Sequence, residues 1–132
     1  MDNAITVLVI TLRTAWPAAW VLAAFCLFGV FSLKGGPFPP LSAFLLLFLP
    51  LLALSAWGGI NWAAEGGRNT SHWRGTAHNI LAILSILFTF LVPWLYRRSP
   101  RLWILGPAVL ASIVLTAGAW FVGAMAITDS WL

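Results

Sequence analysis

Apolar residues occur along the chain in long runs, and only a few short polar segments interrupt them. A helix that crosses a bilayer needs about 20 predominantly apolar residues, because the hydrocarbon layer is about 30 Å thick and a helix rises about 1.5 Å per residue. The pattern therefore predicts an all-α protein, an integral membrane four-helix bundle that forms a single domain over residues 1–132. The four predicted spans cover about 14–33, 41–59, 76–96 and 102–128.

Charged and helix-breaking residues mark the ends of these spans. Arg13 and Lys34 bracket the first span at the separation expected of two interfacial anchors. A Gly- and Pro-rich turn at 35–40 precedes the second span, which Pro50 should kink. Residues 5–12 are surplus to the first span. We expect them to form an interfacial turn, since the alternative, an extended and tilted helix, would draw Arg13 toward lipid.

The composition agrees with a membrane protein and excludes a soluble globular domain. Hydrophobic residues make up 61% of the 132 residues and charged residues 8%, whereas soluble domains are about 25% charged. The net charge of +4 comes from scattered cations rather than a basic face, so we expect lipid and no nucleic acid as a partner. The single cysteine, Cys26, allows no internal disulfide.

The distribution of cations predicts the orientation of the chain. Lys34, Arg97, Arg98 and Arg101 fall on one side of the predicted spans, and both termini and the polar loop 60–75 fall on the other. Because short cytoplasmic loops carry the excess of Lys and Arg, both termini should lie on the non-cytoplasmic side, here of a bacterial inner membrane. The aromatic residues agree, with Trp94, Tyr96 and Trp103 in the predicted inner belt and Trp57, Trp62, Trp73 and Trp131 in the outer one.

Rows of small residues predict where helices pack, because association in a bilayer depends on close backbone approach. The alternative is that Ala and Gly are simply common in membrane helices. The first row is Ala15, Ala19 and Ala23, and the second is Ala111, Ala119 and Gly123, with Gly118 beside it.

Reactive groups are scarce in the predicted spans. None of the three acids lies in a span, which argues against a carrier coupled to protons or cations. Ser85 and Ser112 have no His or acid at helical spacing, which argues against a nucleophilic enzyme. A metal centre at the outer surface would need loop folding and lacks a standard ligand spacing, so we expect none. The residues available to it are Glu65, His72, His78 and Asp129.

His78 is the main candidate for a functional side chain, because it lies about one turn inside the third span, where an imidazole needs a partner. It could hydrogen-bond to a backbone carbonyl, to Asn61 or to Asn79. It could instead be an axial ligand to a tetrapyrrole, either (bacterio)chlorophyll magnesium or the iron of haem b, and iron also accepts a thioether. Met125 is expected at a similar depth, so His78 and Met125 are the candidate cofactor-binding residues.

Several short motifs between residues 59 and 123 occur in an order that is found in other membrane proteins. They are Gly59-Ile60-Asn61-Trp62, the pair His78 and Asn79 at the start of the third helix, the basic end at Arg97, and Gly118 and Gly123 in the fourth helix. In these motifs the stretch from Gly58 to about Ala126 resembles an uncharacterised family of bacterial four-helix membrane proteins. That family has Asp at the position of Asn61 and His residues in its first helix, whereas residues 1–40 contain no His. The resemblance implies a four-helix membrane fold and supplies no activity.

These observations favour an accessory or structural subunit of a larger membrane complex for electron transfer or photosynthesis, with His78 contacting a tetrapyrrole. A chain of this length with short loops has little room for its own active site, and its small-residue faces suit lateral packing. A stand-alone haem- or pigment-binding protein is one alternative. A small self-associating channel or transporter is another, and it requires a polar stripe that the isolated Ser, Thr and Asn residues do not reveal.

Overall fold

The computed structural model describes residues 2–33, 39–62, 72–99 and 101–128, and every regular element within these ranges is helical. The all-α prediction is therefore confirmed for the described part of the chain. The helices are α1 (Asp2–Thr14), α2 (Trp16–Leu33), α3 (Leu41–Leu46), α4 (Leu49–Ile60), α5 (His72–Leu95) and α6 (Leu105–Thr128), and a 3-10 turn (Leu102–Ile104) precedes α6.

Three segments of the described chain are long and apolar enough to cross a membrane. They are Leu41–Ile60, which joins α3 and α4, Trp73–Leu95 in α5, and Leu102–Thr128, which joins the 3-10 turn and α6. These segments correspond to the second, third and fourth predicted spans. Helices α1 and α2 reach membrane length only as a pair, Asn3–Thr14 and Trp16–Val30, and the pair is bent by 94°. The described residues thus contain three membrane-length helices, or four crossings if the bent pair is one span.

The break between α1 and α2 falls at Ala15, just before the dipeptide Trp16-Pro17. Proline has no amide hydrogen, and in a straight helix its ring clashes with the carbonyl four residues earlier, which here belongs to Arg13. Pro17 is the second residue of α2, where a helix needs no amide donor. A new helix therefore starts at this point in a new direction.

The expectation of an interfacial turn in the N-terminal segment is wrong. Residues 5–12, expected as an interfacial turn, form part of a regular helix that packs on α4 and α6. Val7 and Thr11 are completely buried, and the Thr11 hydroxyl donates to the Val7 carbonyl at 2.8 Å. The first predicted span, 14–33, therefore corresponds to α2 alone, the second helix of the bent pair.

The second span is interrupted where the sequence predicts a kink. Leu47 and Phe48 separate α3 from α4, and Pro50 lies in the first turn of α4. Because Pro50 cannot donate a backbone hydrogen bond, the regular helical hydrogen bonding is interrupted here. The Ser112 hydroxyl on α6 donates to the Leu47 carbonyl at 2.7 Å, so a neighbouring helix satisfies a carbonyl at the break.

Helix α6 is the centre of the fold, because it packs against α1, α2, α4 and α5. Helix α5 lies at the edge and turns a broad apolar face outward, which includes Ile83, Leu87 and Phe90. An outward apolar face suits contact with lipid. The buried residues of α6 are Leu105, Ala108, Val109, Ala111, Ser112, Leu115, Thr116, Ala119, Val122, Gly123, Ala126 and Ile127.

The small-residue face predicted on α6 is buried inside the chain's own bundle, as the burial of Ala111, Ala119 and Gly123 shows. The face predicted on the first span is divided. Ala15 and Ala19 pack against the core, whereas Ala23 is exposed. The first face therefore serves internal packing only in part.

Two glycines fix how the bent pair lies against the second span. A Cβ on Gly59, at the end of α4, would overlap the backbone of Ala4 at the start of α1. A Cβ on Gly29, near the end of α2, would lie 2.6 Å from the Cα of Leu41, the first residue of α3. The pair therefore begins beside one end of the segment Leu41–Ile60 and finishes beside the other.

Candidate functional site

His78 lies in the interior of the bundle, on the side of α5 that faces α6, and its side chain is 1% exposed. Its Nε2 atom is 2.9 Å from the carbonyl oxygen of Trp120. A carbonyl oxygen only accepts hydrogen bonds, so Nε2 carries the hydrogen and donates it. In the neutral imidazole Nδ1 is then an acceptor. The predicted bond from His78 to a backbone carbonyl is therefore present.

A glycine makes room for the His78 ring. A Cβ on Gly123 would lie 2.7 Å from Cε1 and 2.9 Å from Nε2 of the imidazole. On α4, a Cβ on Gly58 would lie 2.8 Å from the Cα of Gly123. Three helices thus meet at one point, and the imidazole occupies the space left by the missing side chain of residue 123.

Trp120 is bonded to α5 by both its backbone and its side chain. While its carbonyl accepts from His78, its indole Nε1–H donates to Asn79 Oδ1 at 2.8 Å. Two consecutive residues of α5 therefore hold one residue of α6. Asn61, the other partner considered for His78, donates through Nδ2 to the Trp57 carbonyl at 3.0 Å.

Three buried polar atoms among the described residues have no hydrogen-bond partner: His78 Nδ1, Ser55 Oγ and Arg74 Nε. Ser55 lies three residues before Gly58 and therefore on the same side of α4. An unpaired buried polar atom destabilises a fold by about 1–3 kcal/mol. The bond from His78 to Trp120 thus leaves one polar atom of the ring unsatisfied.

The surroundings of His78 do not fit a tetrapyrrole. An axial ligand needs a ring nitrogen that is free to bond the metal, with open space for the macrocycle beside it. Nε2 donates to a backbone carbonyl, Nδ1 is buried, and the ring packs against Gly123. No nitrogen of this imidazole is presented to a cofactor.

Met125 does not meet His78. It is half-buried on α6, two residues after Gly123. Each helical residue turns by about 100°, so Met125 lies about 200° around the helix from the glycine that contacts the imidazole. The structure therefore does not bring the two candidate cofactor-binding residues together, although their depths are similar, as expected.

The alternative metal site falls largely outside the described residues. Glu65, Asp129 and the side chain of His72 all lie there. Within the part of the chain that the structure describes, no three His, Cys, Asp or Glu side chains lie close enough to hold a metal ion.

A row of buried polar side chains follows the inner face of α5, and sequence analysis missed it. Ser85 and Thr89 are buried on the same side of the helix as His78, and Tyr96 at the far end lies 2.9 Å from the Ser42 hydroxyl. The inner face was visible in the spacing of positions 78, 82, 85, 89, 92 and 96, which alternates between four and three residues, although positions 82 and 92 are the apolar Ala and Val.

Several of the buried hydroxyls bond to their own helix. Thr89 donates to the Ser85 carbonyl at 2.9 Å, and on α6 Thr116 donates to the Ser112 carbonyl at 2.7 Å. Each hydroxyl is thereby satisfied locally. The polar row forms part of the packing between α5 and α6.

Tryptophan and arginine side chains pair near both ends of α5. The Arg74 guanidinium lies 5.6 Å from the Trp73 ring centre, and that of Arg97 lies 5.1 Å from the Trp94 ring centre. Trp57 also contacts Trp73 edge-on, with ring centres 6.4 Å apart. Such pairs are typical of side chains at a membrane–water interface.

Arg13 lies at a different height from the one that the sequence predicts. Thr11 and Ala15, two residues before and after it, both pack against α6 at Gly118. A Cβ on Gly118 would lie 3.3 Å from Thr11 Cγ2 and 3.8 Å from Ala15 Cβ. Gly118 precedes Thr128, the end of α6, by ten residues, or about 15 Å. Arg13 therefore lies near the middle of the bundle's height. The sequence predicts it at the end of the first span. Its side chain is exposed.

A notch opens at Leu12, the residue before Arg13, where α2 turns away from α1. It has a volume of about 370 Å³, and the indoles of Trp16 and Trp20 at its edge are 60% and 69% exposed. The notch lies on the outer surface of the bundle. Its lining residues are Leu12, Trp16, Ala19, Trp20, Ala23 and Phe48.

Comparison of the chain with protein-family models, with curated proteins and with solved structures finds no match. The resemblance to the bacterial four-helix family stays a prediction that rests on the motifs themselves.

Proposed function

We propose that this chain is a non-catalytic integral membrane subunit that packs laterally against other chains of a larger membrane-embedded complex. The observation that carries the proposal is the position of Arg13, which is exposed on the outside of the bundle near the middle of its height. An ionisable side chain at such a depth is costly against lipid. A neighbouring protein chain at this surface would remove that cost.

The proposal includes four crossings of the bilayer. Its support is the course of the bent pair, which runs from Gly59 at one end of the second span to Leu41 at the other. With four crossings both termini lie on the same side of the membrane, and the loop that holds Arg97, Arg98 and Arg101 lies on the opposite side. The excess of arginine in this loop favours its side as the cytoplasmic one.

The proposal assigns no tetrapyrrole to His78. The expectation of an electron-transfer or photosynthetic complex depended on that ligand, and the hydrogen-bonded, closely packed imidazole does not fit it. We propose instead that His78 has a structural role, in which it holds α5 against α6. The subunit function then depends on the outer surface of the chain rather than on its interior.

The test is extraction of the full-length protein from its native membrane into polymer-bounded lipid discs, followed by native electrophoresis and mass spectrometry of the band. We expect the wild-type chain to migrate with other membrane chains in a fixed ratio. Arg13→Gln should reduce this fraction severalfold. Arg98→Gln, which removes an exposed cation from the loop after α5, is the matched control and should leave it unchanged. A wild-type chain that migrates alone would overturn the proposal.

A self-associating channel or transporter is the second candidate, and the row of buried polar residues favours it. The row runs from His78, near one end of α5, through Ser85 to Thr89. The test is proton and potassium flux through vesicles that contain only the purified protein. On this candidate, Thr89→Val would lower the flux severalfold, whereas Thr128→Val, at an exposed position, would not. Vesicles that stay as tight as protein-free ones would exclude it.

A further inference from the structure

We infer that the notch beside Arg13 receives a transmembrane helix of a different protein, and that this helix carries an Asp or Glu near its middle that pairs with the Arg13 guanidinium. The inference rests on the proposed subunit function and names the chemistry of the partner. Four observations lead to it: the depth of Arg13, its exposure, the positions of the chain's own acids, and the shape of the surface beside it.

The depth of Arg13 argues against a lipid headgroup as its partner. Arginine side chains near the end of a transmembrane helix snorkel to the headgroups. Arg13 is in the last turn of α1, but this end of α1 lies near mid-height, because Thr11 and Ala15 contact α6 about 15 Å before α6 ends. A guanidinium at this depth is stabilised by an anionic group at the same depth.

Among the described residues the chain has no carboxylate at that depth. Of its three acidic residues, Glu65 and Asp129 lie outside the described residues, and Asp2 precedes the bent pair Asn3–Thr14 and Trp16–Val30. Asp2 precedes Arg13 by eleven residues on α1, or about 16 Å along the helix. A second copy of this chain would offer Arg13 only the same three acidic residues. The proposed partner carboxylate therefore comes from a different protein.

The surface beside Arg13 has the shape that a helix needs. Ala19 and Ala23 present small side chains to the notch, which allow a neighbouring backbone to approach closely. Trp16 and Trp20 supply large exposed aromatic surfaces at its edge. An apolar helix seated there would cover both indoles, and a carboxylate on its near face would reach Arg13.

The pairing is chemically specific. A guanidinium offers two parallel N–H donors to a carboxylate, and this arrangement is stronger and more directional than a bond to a neutral amide. Where water is excluded, the electrostatic attraction between the two groups increases. We therefore expect the partner to discriminate between a carboxylate and its amide, and between Arg13 and a neutral residue.

The experiment uses the full-length protein in phosphatidylcholine vesicles and measures energy transfer to designed Leu/Ala transmembrane peptides. Two peptides differ only at the central position, which is Glu in one and Gln in the other. We expect the wild-type protein to bind the Glu peptide about tenfold more tightly than the Gln peptide. Arg13→Gln should abolish this preference, and Arg13→Lys should retain part of it.

Two further variants show where and how the peptide binds. Ala23→Trp fills the notch without changing the charge and should weaken the binding of both peptides. Arg98→Gln keeps Arg13 and the notch intact and should behave as wild type. Equal binding of the Glu and Gln peptides to the wild-type protein would overturn the inference, as would an undiminished preference in Arg13→Gln.

The two proposals fail in different ways. If the native complex forms and Arg13→Gln disrupts it, but the peptides show no preference for Glu, the subunit function stands and the carboxylate partner is wrong. If the wild-type chain is alone in its native membrane, the subunit function itself is wrong. Self-association of the wild-type protein that competes with the Glu peptide would show that a second copy occupies the notch, and would also overturn the inference.

Discussion

The imidazole of His78 fills the space that a side chain at residue 123 would otherwise occupy. A Cβ on Gly123 would lie 2.7 Å from Cε1 of this ring. The ring cannot move aside freely, because its Nε2–H donates to the Trp120 carbonyl, only three residues before Gly123 on the same helix. The Cα of Gly58 lies 3.6 Å from the same Cβ position and restricts the space further. The identities of residues 78 and 123 are therefore coupled through packing.

We predict that Gly123→Ala destabilises the protein by about 1–3 kcal/mol, the usual range for overpacking a closely packed interior. The measurement is thermal unfolding in mild detergent, followed by circular dichroism. The control is Gly75→Ala on α5, where a Cβ meets no neighbouring atom within 4 Å. The control should be neutral or stabilising by up to about 1 kcal/mol, because Ala is favoured over Gly in helices. Equal stability of the two variants would contradict the packing at residue 123.

The second prediction is that His78→Ala partly rescues Gly123→Ala. His78→Ala alone should destabilise the protein by roughly 1–3 kcal/mol, because it removes a buried hydrogen bond and leaves a cavity. In the double variant the added methyl group enters that cavity. The combined loss should therefore be smaller than the sum of the two single losses by about 0.5–3 kcal/mol. The four proteins are compared in the same unfolding assay, and strict additivity would show that the residues do not interact.

Much of the architecture was predictable from local sequence. Long apolar runs predict helices because backbone polar groups must be satisfied within the bilayer, and α5 and α6 correspond to their predicted spans. The interruption before Pro50 follows from the chemistry of one residue. The hydrogen bond of His78 to a carbonyl follows from the cost of burying an unpaired imidazole.

The faces on which the helices meet were not predictable in the same way. In α6 both a buried residue, Leu115, and an exposed one, Leu110, are apolar. When lipid and interior are equally apolar, hydrophobic periodicity does not distinguish them. For this reason the sequence placed Met125 and His78 at a similar depth but did not reveal that their sides differ. The depth of Arg13 was missed because it depends on the direction that α1 takes before Pro17.

The third prediction concerns the break between α3 and α4. Ser112→Ala should destabilise the protein by about 1–3 kcal/mol, because it removes the hydroxyl that donates to the buried Leu47 carbonyl. The control is Ser42→Ala, whose hydroxyl bonds to Tyr96 at an exposed position. It should change the stability by less than about 1 kcal/mol. A similar loss in both variants, measured by thermal unfolding, would show that the Leu47 carbonyl does not depend on Ser112.

The fourth prediction concerns the Trp120–Asn79 contact on the outer side of α5 and α6. Trp120→Phe removes the indole N–H that donates to Asn79 Oδ1, and the loss should be about 0.5–1.5 kcal/mol. Asn79→Ala should produce a similar loss, and the double variant should lose little more than either single one. Trp103→Phe, at a tryptophan that is 75% exposed, is the control and should be nearly neutral. Fully additive losses in the Trp120 and Asn79 variants would exclude the bond.

The last prediction tests the four crossings that place Arg13 within the bilayer. In a protein whose only native cysteine is replaced by Cys26→Ala, single cysteines at Asp2 and Arg98 are reacted with a membrane-impermeant maleimide in intact cells. We expect Asp2→Cys to react from outside the inner membrane, and Arg98→Cys to react only after the membrane is opened. The reason is that three crossings separate the two positions, namely those of the bent pair, Leu41–Ile60 and Trp73–Leu95. A third cysteine, Arg13→Cys, should react slowly in both conditions because lipid or a partner helix covers it. Rapid labelling of both Asp2→Cys and Arg98→Cys in intact cells would mean that the pair α1–α2 enters and leaves on one side, and Arg13 would then lie at the tip of a re-entrant loop.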